Sequence, residues 1–192
     1  MNLLPQNGFV FYYANFFNHE ESAYYFNQLK SKIDWQQEPI KIFGKMVMQP
    51  RLTAWYGNEG KSYRYSGIEM QPKTWITELL DIKQRIELFA KYSFNSVLLN
   101  LYRSGSDSMG WHSDDEKELG KNPTIASVSF GAERVFHFKH RSEKHLRKKV
   151  LLTNGGLLLM SGSTQHFWHH ALPKTAQPIG ERINLTFRNI VS

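Results

Sequence analysis

The chain has 192 residues, 41% of them hydrophobic and 21% charged, the make-up of one folded domain with a sizeable core rather than of a disordered chain. It has no cysteine, which excludes disulfides, iron–sulfur clusters, thiolate metal sites and cysteine nucleophiles. The formal net charge of +7 suits a polyanionic partner, nucleic acid first, or simply a basic soluble protein.

Residues 8–13 (GFVFYY) read as a short aromatic strand. Asn18 then stands as an N-cap with Glu21 three residues on, the pattern of a capping box. Ala23, Phe26, Leu29 and Ile33 give the apolar stripe of a helix that runs to Lys32. Residues 40–45 alternate and turn at Gly44, a hairpin with Phe43 at its tip between Lys41 and Lys45. Such a ring either packs inward or is an apolar wedge flanked by phosphate-seeking lysines, a device that unstacks base pairs. Residues 50–57 and 62–67 flank a turn at Asn58 and Gly60. Tyr63 and Tyr65 share a strand face there and Arg64 takes the other. The two rings are either sheet surface or a platform for a planar base. Residues 72–92 carry a second helical stripe, Trp75, Leu79, Ile82, Ile86 and Phe89, with Lys83, Arg85 and Lys91 outside it.

The second half reads as strands over residues 96–102, 124–130, 134–139, 150–153, 157–160, 168–171 and 182–188. Residues 140–149 form a basic loop holding Arg141, Lys144, Arg147, Lys148 and Lys149. Asn154-Gly155-Gly156 signals a hairpin between the strands on either side. Short strands at close spacing predict a β-sandwich or jelly roll, so the fold class is α+β, two helices buttressing one sheet. The chain is expected to be a single domain, with helices and recognition hairpins over residues 1–95 and the jelly roll over residues 96–192. No stretch reaches the ~18 apolar residues of a membrane span and the N-terminus lacks a basic leader, so a soluble cytoplasmic monomer with no membrane contact is expected, nucleoid-associated if bacterial.

His112-x-Asp114 puts an imidazole and a carboxylate at i and i+2, the same face of a strand, where both can reach one metal ion. His166, His169 and His170 are the candidates for a third ligand from a distant strand. Two histidines and one carboxylate make the facial triad of non-haem Fe(II) oxygenases. On the last strand Arg182, Asn184, Thr186 and Arg188 share one face, and Ile183, Leu185 and Phe187 the other. Two guanidiniums facing into a small barrel are costly unless they meet anions. A dicarboxylate fits: one arginine pairs with a carboxylate, and the other supports the metal-binding carboxylate or an acid on the metal. Asn100 and Tyr102 also share a face and can hydrogen-bond such a ligand. The alternative is an exposed edge strand with its arginines in water.

His112-Ser-Asp114-Asp115-Glu116, Ala126-Ser-Val-Ser-Phe-Gly131, His170-Ala-Leu-Pro173 and Arg182-Ile-Asn-Leu-Thr-Phe-Arg188 together resemble the AlkB family, Fe(II)- and 2-oxoglutarate-dependent dioxygenases that reverse alkylation damage on nucleic acids. The resemblance runs from about Ile40 to the C-terminus. It looks closest to the branch acting on double-stranded DNA, matched in order by Phe43-Gly44-Lys45, Pro50-Arg51, Tyr56-Gly57 and Tyr63-Arg-Tyr65-Ser-Gly67. It implies a double-stranded β-helix core with His112, Asp114 and His170 as the Fe(II) ligands, selecting His170 over His166 and His169. It implies Asn100, Tyr102, Arg182, Thr186 and Arg188 around 2-oxoglutarate, the two arginines contributing most of the anion binding. Asp115, Tyr63 and Glu116 are implied at the edge of the damaged base, with Tyr65 and the His112 ring sandwiching it. Arg51, Arg64 and Ser66 are placed on the same substrate side. Phe43, with Gly44 and Lys45, is implied as the finger that fills the gap after base flipping.

The implied reaction is oxidative demethylation of 1-methyladenine and 3-methylcytosine in DNA, duplex or single-stranded, consuming 2-oxoglutarate and O2 and releasing formaldehyde, succinate and CO2. An acid pair at Asp115 and Glu116 would favour a cationic damaged base over a neutral one. RNA or protein as substrate, or a non-catalytic nucleic-acid-binding jelly roll, are the alternatives. The loop Lys174-Thr-Ala-Gln-Pro has one lysine where the double-strand branch carries a basic run, so strand preference stays open. Residues 141–149 either compensate by gripping phosphate or are a solvated charge run.

Overall fold

The computed structural model describes residues 1–42, 45–60, 63–65, 68–70 and 72–191, with the backbone alone described for 40–42, 63–65 and 68–70. In chain order the elements are β1 (Phe9–Tyr13), α1 (His19–Lys32), β2 (Pro39–Ile42), β3 (Lys45–Met48), β4 (Leu52–Gly57), β5 (Tyr63–Tyr65), β6 (Ile68–Met70), α2 (Thr77–Ala90), β7 (Ser96–Tyr102), β8 (Met109–His112), a 3-10 turn (Lys117–Leu119), β9 (Ile125–Gly131), β10 (Arg134–His140), β11 (Arg147–Leu152), β12 (Gly156–Ser161), α3 (Thr164–Phe167), β13 (Trp168–Leu172) and β14 (Arg182–Arg188). The strands form a six-stranded sheet in the order β1-β12-β9-β14-β7-β4 and a four-stranded sheet in the order β11-β10-β13-β8. All their pairings are antiparallel, as a jelly roll requires. No described helix is long and apolar enough to cross a membrane.

Both long helices cover the outer face of the six-stranded sheet. The capping box that starts α1 is present: Asn18 Oδ1 accepts from the Glu21 N–H at 2.9 Å, and Glu21 Oε2 accepts from the Asn18 N–H at 2.8 Å. Leu29 and Ile33 of the anticipated stripe are buried and Phe26 partly so, but Ala23 is exposed and Ser22 takes its place inside. The reason is a close approach. A Cβ on Gly155 would lie 2.4 Å from Ser22 Oγ, so the turn comes this close to Ser22 only with glycine at 155. The helix expected over 72–92 begins only at Thr77. Residues before it run extended beside β4, where Lys73 N–H donates to Trp55 O and Gly57 N–H donates to Lys73 O. Trp75, expected on the helical stripe, instead donates its ring N–H to Asn58 Oδ1 at 2.9 Å. Leu79, Ile82 and Ile86 are buried on Val97, Leu99, Leu101, Val128, Ile183, Leu185 and Phe187.

A second apolar cluster fills the space between the sheets, built on Trp55, Leu98, Ile125, Phe138, Leu158, Met160 and Trp168. The anticipated hairpin at 154–156 is not one. Its two strands, β11 and β12, belong to different sheets, and the turn carries the chain across. Asn154 Oδ1 takes the Gly131 N–H and the Gly155 N–H donates to Ser129 O, which ties the turn to β9. The basic loop is shorter than expected, because Arg147, Lys148 and Lys149 already lie in the edge strand β11. Beyond the two sheets, β2 pairs with β3, Ile42 facing Lys45, and β5 pairs with β6, Tyr65 facing Ile68. Phe43, Gly44 and Ser66 lie outside the described residues, as do the side chains of Tyr63, Arg64 and Tyr65.

Candidate active site

The register of the four-stranded sheet sets His170 of β13 directly opposite His112 of β8. The imidazole rings meet edge to face with centroids 4.3 Å apart and the two Nε2 atoms 3.2 Å apart. His112 Nδ1 lies 2.9 Å from Gly110 O, so this nitrogen carries the proton and Nε2 presents its lone pair. Burial pulls the pKa of His170 down to about 3, so this ring too is neutral at pH 7. Asp114 Oδ2 is 3.5 Å from His170 Nε2, and one ligand atom from each of the three residues lies within 4.8 Å of the others. Two lone pairs and a carboxylate converging inside a fold suit a cation and little else, and the N/N/O donor set fits Fe(II). The neighbouring histidines stand elsewhere. His169 pairs in register with Lys139 on the opposite face of the sheet, and His166 is exposed in α3.

His112-x-Asp114 was anticipated as one strand, yet β8 stops at His112. Side-chain bonds replace the ladder beyond it. Ser113 Oγ donates to Trp168 O at 3.0 Å, and the Asp114 N–H donates to Gln165 Oε1 at 3.0 Å. Arg188 Nη2 donates to Asp114 Oδ1. Burial pushes the Asp114 carboxyl up, but Arg188, His170 and His112 outweigh it and hold the group at about 2. Asp114 is therefore an anion at neutral pH although it is buried.

A cavity between the sheets opens beside the triad and is lined by Asn100, Tyr102, Ser127, Arg182, Asn184, Thr186 and Arg188, with Leu98, Phe136, Met160 and Leu172 as apolar walls. The β14 alternation holds residue for residue: the register sets Asn184 between Asn100 and Ser129, and Thr186 between Leu98 and Ser127. The arginines at the two ends of β14 serve different ends. Arg188 is committed to Asp114, while Arg182 is 2% exposed and forms no ion pair among the described residues. Arg182 Nη2 donates to Ser129 Oγ at 2.7 Å, its guanidinium lies 5.2 Å from the Tyr102 ring centroid, and Nε has no hydrogen-bond partner among the described residues. Burial lowers its pKa to about 10, so it remains a cation at pH 7. A buried cation with an unused donor, facing a polar cavity, fits the carboxylate of 2-oxoglutarate.

The residues assigned to the substrate side are more dispersed. Arg51 is 3% exposed and donates through Nε to Asn100 Oδ1 at 2.7 Å and through Nη1 to Ser108 O at 3.1 Å, and it is not among the described residues that line the cavity. Asp115 is exposed and ion-paired with Arg141, the first cation of the basic loop. Glu116 is half-buried at the start of the 3-10 turn, and Lys45 is exposed on β3. Neither acid is among the described residues that line the cavity.

Asn184, Ser127 and Ser129 were not assigned roles, although period-two alternation in β9 and β14 puts all three on the inward face. Asn184 Nδ2 donates to Ser127 Oγ and Val128 O, each at 2.8 Å. Gln165 had no such signal, because it lies in a single helical turn.

The family model of the 2OG-Fe(II) oxygenase superfamily matches residues 9–188. The chain is 43% identical over 180 residues to the bovine (Bos taurus) alpha-ketoglutarate-dependent dioxygenase alkB homolog 3, an alignment covering 89% of this chain and 62% of the relative. It is 37% identical over 189 residues to the bovine DNA oxidative demethylase ALKBH2, covering 93% of this chain and 68% of the relative. The chain thus spans about two thirds of the length of these curated relatives. The solved structure of OsALKBH1 has the same fold, with a TM-score of 0.61 at 17% identity over 94% of this chain and 97% of that one.

Proposed function

The chain belongs to the 2OG-Fe(II) oxygenase superfamily, in its AlkB branch, and from that premise we propose that it removes N-alkyl groups from bases in DNA by oxidative demethylation. The observation that carries this reading is the pairing, in one cavity, of the His112–Asp114–His170 triad with a buried, acid-free Arg182. Fe(II) bound by the triad supplies O2 activation at the expense of 2-oxoglutarate, which ends as succinate and CO2.

Everything else is the work of the chain. His112 and His170 offer neutral nitrogens, and Arg188 keeps Asp114 ionised. Arg182 would pair with a carboxylate of 2-oxoglutarate, and Asn100, Tyr102 and Thr186 of the same cavity would offer it hydrogen bonds. Leu98, Phe136, Met160 and Leu172 give the cavity apolar walls that would limit water around a bound co-substrate. A base swung out of its stack presents its N-methyl group at the mouth of this cavity. The group is hydroxylated and leaves as formaldehyde, which restores the pairing edge. Methylation of that edge itself weakens pairing and makes extrusion cheaper.

The net charge of +7 and the exposed Arg147 and Lys149 on the outer face of the four-stranded sheet support a polyanionic substrate. Lys139, Arg147 and Lys149 are on that face beside exposed Trp111, whose ring lies 4.4 Å from Lys139 Nζ. The single lysine in the 174–178 loop leaves the preference between duplex and single strand open. Incubation with Fe(II), 2-oxoglutarate and ascorbate tests the reading on 1-methyladenine and 3-methylcytosine oligonucleotides in duplex DNA, single-stranded DNA and RNA. Unmodified base should appear in the DNA substrates. Unchanged methylated DNA with the metal site occupied would refute it, and repair of RNA alone would move the substrate.

A further inference from the structure

Asp114 is the one triad member outside a strand, so Arg188 of β14 holds its carboxylate but no ladder bond fixes its backbone. Resting on the reading of the triad as a metal site, we infer that Gln165 is a positioning residue that holds Asp114 in ligand geometry, and that Arg141 is a second brace acting through Ser113. Gln165 is wholly buried, and its Oε1 accepts from the Asp114 N–H at 3.0 Å. Only the oxygen of the amide can serve an N–H, so the orientation is fixed, and Nε2 points to Met160 Sδ at 3.6 Å. Its neighbour Thr164, equally buried, anchors the turn. Thr164 Oγ1 accepts from the Phe9 N–H at 3.0 Å and donates to Ser161 O at 2.6 Å. A rigid path therefore runs from β1 and β12 through α3 to the backbone of Asp114.

The second brace reaches the residues on either side. Arg141 Nη2 donates to Ser113 Oγ at 2.8 Å and to Asp115, while the Arg141 N–H donates to Phe167 O at 2.8 Å. Ser113 Oγ in turn donates to Trp168 O. His112 is fixed by register, Ser113 by Arg141 and Trp168, and Asp114 by Gln165. Partners behind metal ligands typically change affinity by about 10–100-fold when removed. A buried glutamine could instead be a satisfied core amide with no effect on metal, so the readout must be the metal itself.

The experiment is titration of the whole protein with Mn(II), read by its electron paramagnetic resonance signal, with circular dichroism as the check on folding. Gln165→Met keeps volume but removes the acceptor, and should weaken Mn(II) binding about 10–100-fold. Arg141→Ala changes a side chain that is 36% exposed and should weaken it by a smaller factor. Arg141→Lys should recover affinity, because one nitrogen serves both acceptors and an ammonium can replace it. Mn(II) affinity within about twofold of the parent in folded Gln165→Met and in Arg141→Ala would overturn the inference, about twofold being under 0.5 kcal/mol. If Gln165→Met does not fold, Arg141→Ala decides alone. A parent protein that binds no Mn(II), or an Asp114→Ala variant that binds it as well as the parent, would instead overturn the metal-site reading on which this one stands.

Discussion

Arg182 and Arg188 sit on one strand face and are equally buried, yet their surroundings give them opposite consequences on mutation. Removing Arg188 strands a buried carboxylate. Arg188→Leu should therefore destabilise the metal-free protein by about 3–5 kcal/mol, read by denaturant unfolding. Arg182 pairs with no acid among the described residues, so its removal strands none of them. Arg182→Met should leave metal-free stability unchanged or higher, while weakening 2-oxoglutarate binding by about 2–4 kcal/mol in calorimetric titration. At this scale the triad and the arginine face were legible, because strand alternation fixes direction from spacing alone. What was not legible is which partner each group finds. Asp115 read as a charge beside the base and is paired with Arg141, and Arg51 read as a substrate contact and donates to Asn100. Both depend on segments distant in the chain meeting in space.

Elements follow local chemistry where one rule acts unopposed. Asn18 and Glu21 start α1 as their spacing requires, and β14 spans the residues that alternation marks. Competition displaced the others. Residues 72–75 are compatible with a helix, but Lys73 bonds to β4 and Trp75 to Asn58, and α2 begins only at Thr77. The Asn-Gly-Gly turn specifies a reversal but not the receiving sheet, so it carries the chain across instead of pairing β11 with β12. The packing of β14 predicts a ranking. Leu185→Ala, at the centre of the helix-covered face, should cost about 2–5 kcal/mol of stability, and Asn18→Ala about 1 kcal/mol, both from equilibrium unfolding.

At the scale of the molecule, the two sheets divide the labour. The larger is sheathed by helices on one face and on the other lines the cavity proposed for 2-oxoglutarate; the smaller supplies both histidines and exposes Trp111, Val135 and Leu151 on its outer face. The jelly-roll class was legible from strand spacing, but the roles of β1 and β4 were not. These strands come from the first 57 residues and form the two edges of the larger sheet, pairings too distant for local patterns to show. The basic outer face of β10 and β11 predicts polyanion binding that weakens with salt. Arg147→Glu with Lys149→Glu should weaken binding to all oligonucleotide sequences alike and reduce the salt slope by about two, measured by fluorescence anisotropy across salt concentrations. The central claim is that one cavity couples 2-oxoglutarate oxidation to removal of a base methyl group. Its most direct test is the ratio of formaldehyde to succinate released with a 1-methyladenine oligonucleotide. The account predicts near-equal amounts for the parent and neither product from Asp114→Ala. Succinate without formaldehyde from the parent, or formaldehyde from Asp114→Ala, would contradict it.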